Sequence, residues 1–154
     1  MVEVSDPWVT LKQTQDFCFD IDFGGGIPTW IGDERPPLGG GRGPSPAQLL
    51  VAAVSNCMVD ALYFAVRKFN LGLSGQLSAQ GWAEIGRNDA GRMRVLELRV
   101  VLHLSQSANS HLHLDRILAQ FEEFCTVGRS VAQGIPLQVT VVDSLGQVVK
   151  APSR

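Results

Sequence analysis

The sequence predicts an α+β protein, and three observations predict it. One segment, from about Pro46 to Phe69, is apolar almost all the way round at helical spacing. Two long β-type segments follow, joined by a turn-forming run, Asn88-Asp89-Ala90-Gly91. A second helical stretch and a short apolar strand close the chain. Strands, helix, hairpin, helix and strand are thus segregated along the sequence rather than alternating, which is the α+β pattern.

At the N-terminal end, Val9-Thr10-Leu11-Lys12 and Phe17 to Phe23 read as short strands. In the second, Phe17, Phe19, Ile21 and Phe23 alternate with Cys18, Asp20 and Asp22. That period of two implies one buried face, from which Cys18 points away. Gly24 to Ser45 is rich in glycine and proline, with a short strand expected around Thr29-Trp30-Ile31. Irregular segments this long inside a compact domain are usually functional or mobile. No Gly-Lys-Ser/Thr follows the glycines, so a phosphate-binding P-loop is excluded.

Ser45 suits a helix N-cap and Pro46 the first helical position, where a missing N–H costs nothing. Between Pro46 and Val66 the only charge is Asp60. A helix apolar on every side is expected to be buried on every side. Gln48, Ser55, Asn56 and Asp60 dilute the run and argue against a membrane span. Asn70-Leu71-Gly72 supplies an αL-tolerant stop. Strands are expected at about Leu77 to Ile85 and Arg92 to Leu104, covering this helix. A second helix should run from about Leu112 to Phe124, with a break at Cys125-Thr126-Val127-Gly128 and a short continuation to Gln133. Gly134-Ile135-Pro136 ends it, and Leu137 to Val142 forms the closing strand.

The 154 residues suit a single domain, with an irregular N-terminus to about residue 8, a Gly/Pro-rich loop at about 24–45 and a frayed tail from about 146 to 154. A net charge of −2 without basic runs points away from nucleic acid and anionic membranes as partners. The start, Met1-Val2-Glu3-Val4-Ser5-Asp6, carries acid where a signal peptide needs base. The expected location is the cytoplasm, where thiols stay reduced.

Chemistry, if present, rests on sulfur. Cys18, Cys57 and Cys125 are odd in number and widely spaced, unlike a secreted disulfide framework or a zinc site. No metal is expected from these spacings. Cys57 lies mid-helix among apolar residues, where a packing role competes with a chemical one. Asp60, three residues on, opposes thiolate formation, so activation needs a cation from elsewhere. Arg42 and Arg35 are the candidate thiolate-stabilising cations, with Lys12 and Arg129 as further possibilities. Cys125 sits at a helix break, where a helix N-terminus would favour its thiolate. Cys18 reads as an incidental thiol. His103, His111 and His113 read as surface residues, and Trp8, Trp30, Trp82 and Tyr63 as core, rim or pocket-wall aromatics.

The run Gly43-Pro44-Ser45-Pro46-Ala47-Gln48-Leu49-Leu50-Val51-Ala52-Ala53, followed by Cys57, resembles the helix-opening signature of OsmC/Ohr proteins. Phe121-Glu122-Glu123-Phe124-Cys125-Thr126-Val127, followed by the Leu137 to Val142 strand, resembles that family's second-cysteine segment. The resemblance covers about Phe17 to Val142. It implies an OsmC-like fold with antiparallel sheets wrapped around a buried central helix in an intertwined homodimer. It further implies thiol-dependent, antioxidant reduction of an organic hydroperoxide. Cys57 would form the sulfenic acid, Cys125 would resolve it as a disulfide, and a dithiol reductant, such as a lipoylated protein, would reset the pair. The resemblance implies no organic cofactor. Two departures stand out: Ala47 occupies the position of the family's active-site glutamate, and no arginine sits in the family's motif. That pattern resembles a divergent OsmC-like branch. It leaves open a non-catalytic or weakly catalytic binder of a small apolar ligand at the dimer interface.

Overall fold

The computed structural model describes residues 7–69 and 75–153. The expected helix stop at Asn70-Leu71-Gly72 lies outside them. The backbone divides into two compact units, one ending at Leu49 and one beginning at Leu50.

The first unit holds a three-stranded antiparallel sheet of β1 (Thr10–Gln15), β2 (Cys18–Asp22) and β3 (Trp30–Gly32), in that order. β2 is central, pairing Leu11 with Ile21 on one side and Asp20 with Ile31 on the other. The simple alternation read from sequence is corrected by burial on both faces of β2. Ile21 and Cys18 are both buried, while Phe17 is half exposed. Phe17, Phe19 and Ile21 line an apolar cavity of about 210 Å3 together with Leu11 and Leu49. The three tryptophans are not core residues; Trp8, Trp30 and Trp82 are all exposed, as is Tyr63.

The Gly/Pro-rich segment is tied down rather than loose. Asp33 is buried, and its Oδ2 accepts the N–H groups of Gly40 (3.1 Å) and Arg42 (3.0 Å). Gly43 passes so close to the Ile31 carbonyl that a Cβ would overlap it, which is why glycine stands there.

Helix α1 runs Pro46–Phe69. Ser45 and Gln48 form a reciprocal cap at its start. The Gln48 N–H donates to Ser45 Oγ (3.3 Å), and the Ser45 N–H donates to Gln48 Oε1 (3.0 Å). By length and composition α1 could cross a bilayer. One face, Val54, Met58, Ala61, Leu62, Ala65 and Val66, is instead buried in a protein core. The opposite side is exposed, with Tyr63 at 54% and Phe64 at 60%. Burial all round is thus not observed in the single chain. A sheet can cover only one side of a helix.

The second unit continues with β4 (Ser78–Arg87), β5 (Met93–His103), α2 (Leu114–Gln120), α3 (Thr126–Val131), β6 (Leu137–Val142) and β7 (Val148–Lys150). The sheet order is β4-β5-β6-β7. β4 and β5 form the expected hairpin, with Asn88 Oδ1 accepting the Ala90 and Arg92 N–H groups at its turn. One pairing departs from the antiparallel expectation: β5 and β6 are parallel, Val100 opposite Val139. Parallel neighbours need a crossover, and the α2–α3 segment provides it. Leu98, Val100, Leu102, Val139 and Val141 meet the buried face of α1 beside Ile117, Leu118 and Phe121.

Two further corrections concern polar residues and the tail. Residues 146–154 are not all frayed, because Val148–Lys150 pairs with β6. Asp143 holds the connecting turn. Its Oδ1 accepts the N–H groups of Leu145 and Gln147, and its Oδ2 accepts that of Ala108. These bonds hold its carboxyl below the usual range. His111, expected at the surface, is buried with neither ring nitrogen hydrogen-bonded, and burial lowers its pKa. His103 and His113 are accessible; His113 adopts φ 56° and stacks edge-on against Phe69.

Candidate redox site

Cys57 stands on α1 at the edge of the buried face, one residue before Met58 and four before Ala61. It is half-buried, so its sulfur touches the core yet remains approachable. Cys125 is fully buried at the N-cap of α3. The second helical run breaks here because Phe121–Phe124 tightens into a 3-10 turn. Cys125 then adopts extended geometry, φ −85° and ψ 92°, before α3 begins. Three free cysteines are present, and the fold brings two of them together.

The two sulfurs share a set of donors. The Val127 N–H donates to Cys57 Sγ at 3.4 Å, and the Gly128 N–H donates to Cys125 Sγ at 3.2 Å. Cys125 is pushed up to about 12, chiefly by burial and then by its hydrogen bond to Cys57. The nearby Gly128 N–H partly offsets this. The expectation that a helix N-terminus would lower the Cys125 pKa is therefore corrected: desolvation outweighs the main-chain donors. Burial thus disfavours the Cys125 thiolate. The Cys57 sulfur accepts a main-chain N–H, that of Val127.

Gly128 is what permits this approach. A Cβ there would lie 2.7 Å from Cys125 Sγ and 2.8 Å from Met58 Cε. From sequence alone this glycine is only part of a helix break. Phe64, two turns along α1 from Cys57, meets Phe124 at a ring separation of 5.8 Å, so an exposed aromatic pair flanks the thiol segment.

Two of the four candidate cations have side-chain partners of their own. Arg42 points Nη1 at Cys18 Sγ, 4.0 Å away within the first unit. Arg35 and Lys12 are exposed. Arg129 pairs with Glu123 at 3.4 Å. Asp60 accepts from Asn56 Nδ2 at 3.1 Å. Among the described residues no cluster of histidine, cysteine and carboxylate side chains could hold a metal ion.

The OsmC-like protein family matches the chain over residues 39–140. The chain belongs to the OsmC-like family. Solved structures agree on the fold. An organic hydroperoxide resistance protein from Elizabethkingia anophelis superposes with a TM-score of 0.72 at 15% identity, covering 94% of this chain and 100% of that one. An OsmC-like protein of unknown function from Vibrio cholerae gives 0.71 at 16% identity, covering 90% and 100%. The organic hydroperoxide resistance protein OhrB of Bacillus subtilis gives 0.66 at 15%, covering 89% and 98%. A search of curated protein sequences found no match. At these identities the structural likeness speaks for an OsmC-like fold, and the chemistry must be argued from the two sulfurs.

Proposed function

We propose that this OsmC-like protein reduces organic hydroperoxides through Cys57 and Cys125. The observation that carries the reading is the asymmetric sulfur pair. Cys57 is half-buried and accepts the Val127 N–H, while Cys125 is sealed in and burial pushes its thiol up. The first suits a nucleophile and the second a resolving thiol.

The Cys57 thiolate attacks the outer oxygen of the hydroperoxide. The O–O bond breaks, a proton passes to the departing oxygen, and the products are an alcohol and a Cys57 sulfenic acid. Sulfur supplies the two electrons. The Cys125 thiolate, its proton lost, displaces hydroxide from the sulfenic sulfur, giving water and a Cys57–Cys125 disulfide. A dithiol reductant, such as a lipoylated protein, exchanges with that disulfide and leaves as a cyclic disulfide. An apolar hydroperoxide suits the exposed Phe64 and Phe124 rings.

A homodimer is part of this proposal, because a second copy would cover the apolar side that α1 leaves exposed. The cytoplasm is the proposed location, since the cycle needs a reduced resting state. The test is turnover of cumene hydroperoxide with a dithiol. Cys57→Ser should abolish it, and Cys125→Ser should allow one sulfenic acid per site without recycling. Equal turnover in the parent and Cys57→Ser would end the reading.

One observation favours a second reading, a weakly catalytic binder of a small apolar ligand. The first unit carries the apolar cavity lined by Leu11, Phe17, Phe19 and Ile21, and Ala47 supplies no carboxylate. Ligand saturation by apolar probes, undisturbed by Cys57→Ser, would support it.

A further inference from the structure

We infer that the main-chain N–H of Val127 is a donor that holds negative charge on the Cys57 sulfur. The inference rests on the hydroperoxide reading for its biological meaning, but its physical content stands on the hydrogen bond alone.

Three observations support it. The Val127 N–H lies 3.4 Å from Cys57 Sγ, although the two residues belong to different elements. Val127 is the second residue of α3, so its N–H has no intrahelical partner and is free to serve a sulfur. Arg129, the nearest arginine along α3, is occupied by Glu123. A main-chain donor has one advantage over an arginine side chain: its position is fixed by the fold, and no rotamer entropy is lost in using it. It also links the two sulfurs mechanically. Val127 follows Cys125 by two residues, so any shift of Cys125 toward a disulfide moves the donor on Cys57 at the same time.

This geometry is separable from the side chain. Val127→Pro removes the N–H at a first-turn position where proline is tolerated. Val127→Ala keeps the N–H and removes the isopropyl group. Replacing the Val127 amide by an ester through semisynthesis removes the N–H and keeps both backbone shape and side chain.

The experiment uses the full reduced chain and follows iodoacetamide labelling of the Cys57 peptide by mass spectrometry across pH. Losing a hydrogen bond to a charged group should slow labelling near neutral pH by about tenfold. The rate profile should move to higher pH in Val127→Pro and in the ester chain, while Val127→Ala labels like the parent. Val127→Pro and Val127→Ala profiles that coincide would overturn the inference. Should Val127→Pro fail to fold, the ester chain decides alone, and an unchanged profile there overturns it. Oxidation of the same peptide by cumene hydroperoxide separates the two claims. A parent Cys57 that resists the hydroperoxide while its labelling still depends on the Val127 N–H sinks the enzyme and keeps the donor. A parent that is oxidised, with labelling indifferent to that N–H, sinks the donor and keeps the enzyme.

Discussion

Gly128 stands directly against Cys125: a Cβ on the glycine would lie 2.7 Å from the cysteine sulfur. The same Cβ would meet Met58 Cε at 2.8 Å, so helix α3 is seated on α1 through a residue with no side chain. Gly128→Ala must push either Met58 or Cys125 aside. Overpacking of this kind costs about 1 to 3 kcal/mol. Met58 Cε is the end of a flexible side chain and can yield. The sulfur is held by the Gly128 N–H and can yield less. The expected outcome is a lower denaturant midpoint together with slower disulfide formation after one equivalent of hydroperoxide. Unchanged disulfide formation would mean that the sulfurs tolerate the shift.

The start of α1 offers a cleaner measurement, because Ser45 and Gln48 each satisfy the other's main-chain N–H. Ser45→Ala should cost about 1 kcal/mol in chemical denaturation. Ser45→Asp should recover most of it, since a carboxylate caps as well as a hydroxyl.

That cap was legible in the sequence, as was much of the second unit. Ser45-Pro46 before an apolar run, the Asn88 to Gly91 turn and the Leu137 to Val142 strand are local signals, and local signals survive in any tertiary setting. What failed depended on distant neighbours. Cys18 is buried on the face opposite Ile21, and what covers that face cannot be read from alternation alone. Val148–Lys150 becomes a strand only because β6 offers it an edge. For Cys125 the sequence implies the wrong pKa direction, since helix position shows in it and burial does not. The positions of Cys57 and Cys125 were legible as sulfur-bearing segments. Their shared donors, Val127 and Gly128, carry no side-chain signature and could not be read.

Asp143 gives a pH prediction. Its carboxylate accepts three main-chain N–H groups, so its folded pKa lies below the usual 3.8. A depressed carboxyl stabilises the fold fully above its unfolded pKa, and that stability is lost as pH falls through the folded value. Asp143→Asn places an amide N–H₂ against at least one of those donors. Its melting temperature should fall well below the parent's at neutral pH, and the gap should narrow on acidification below the carboxylate range. A gap independent of pH would show that shape, rather than charge, anchors the turn.

His111 predicts a second pH dependence, closer to neutrality than that of Asp143. Its ring nitrogens are buried without hydrogen-bond partners, and burial lowers its pKa below 6.5. Below 6.5 the unfolded chain therefore binds more protons than the folded chain, and stability must fall as pH falls through that window. The folded state gains nothing from the imidazole's polarity, because both nitrogens are desolvated and unpaired. His111→Leu keeps an apolar body and removes both unsatisfied atoms. The variant should be at least as stable as the parent at neutral pH and more stable on the acid side of 6.5, where the parent loses ground and the leucine chain does not. Denaturant midpoints measured on both chains across that range check it. Parallel pH profiles would mean that His111 binds its proton as readily in the folded chain as in the unfolded one, and would overturn the prediction.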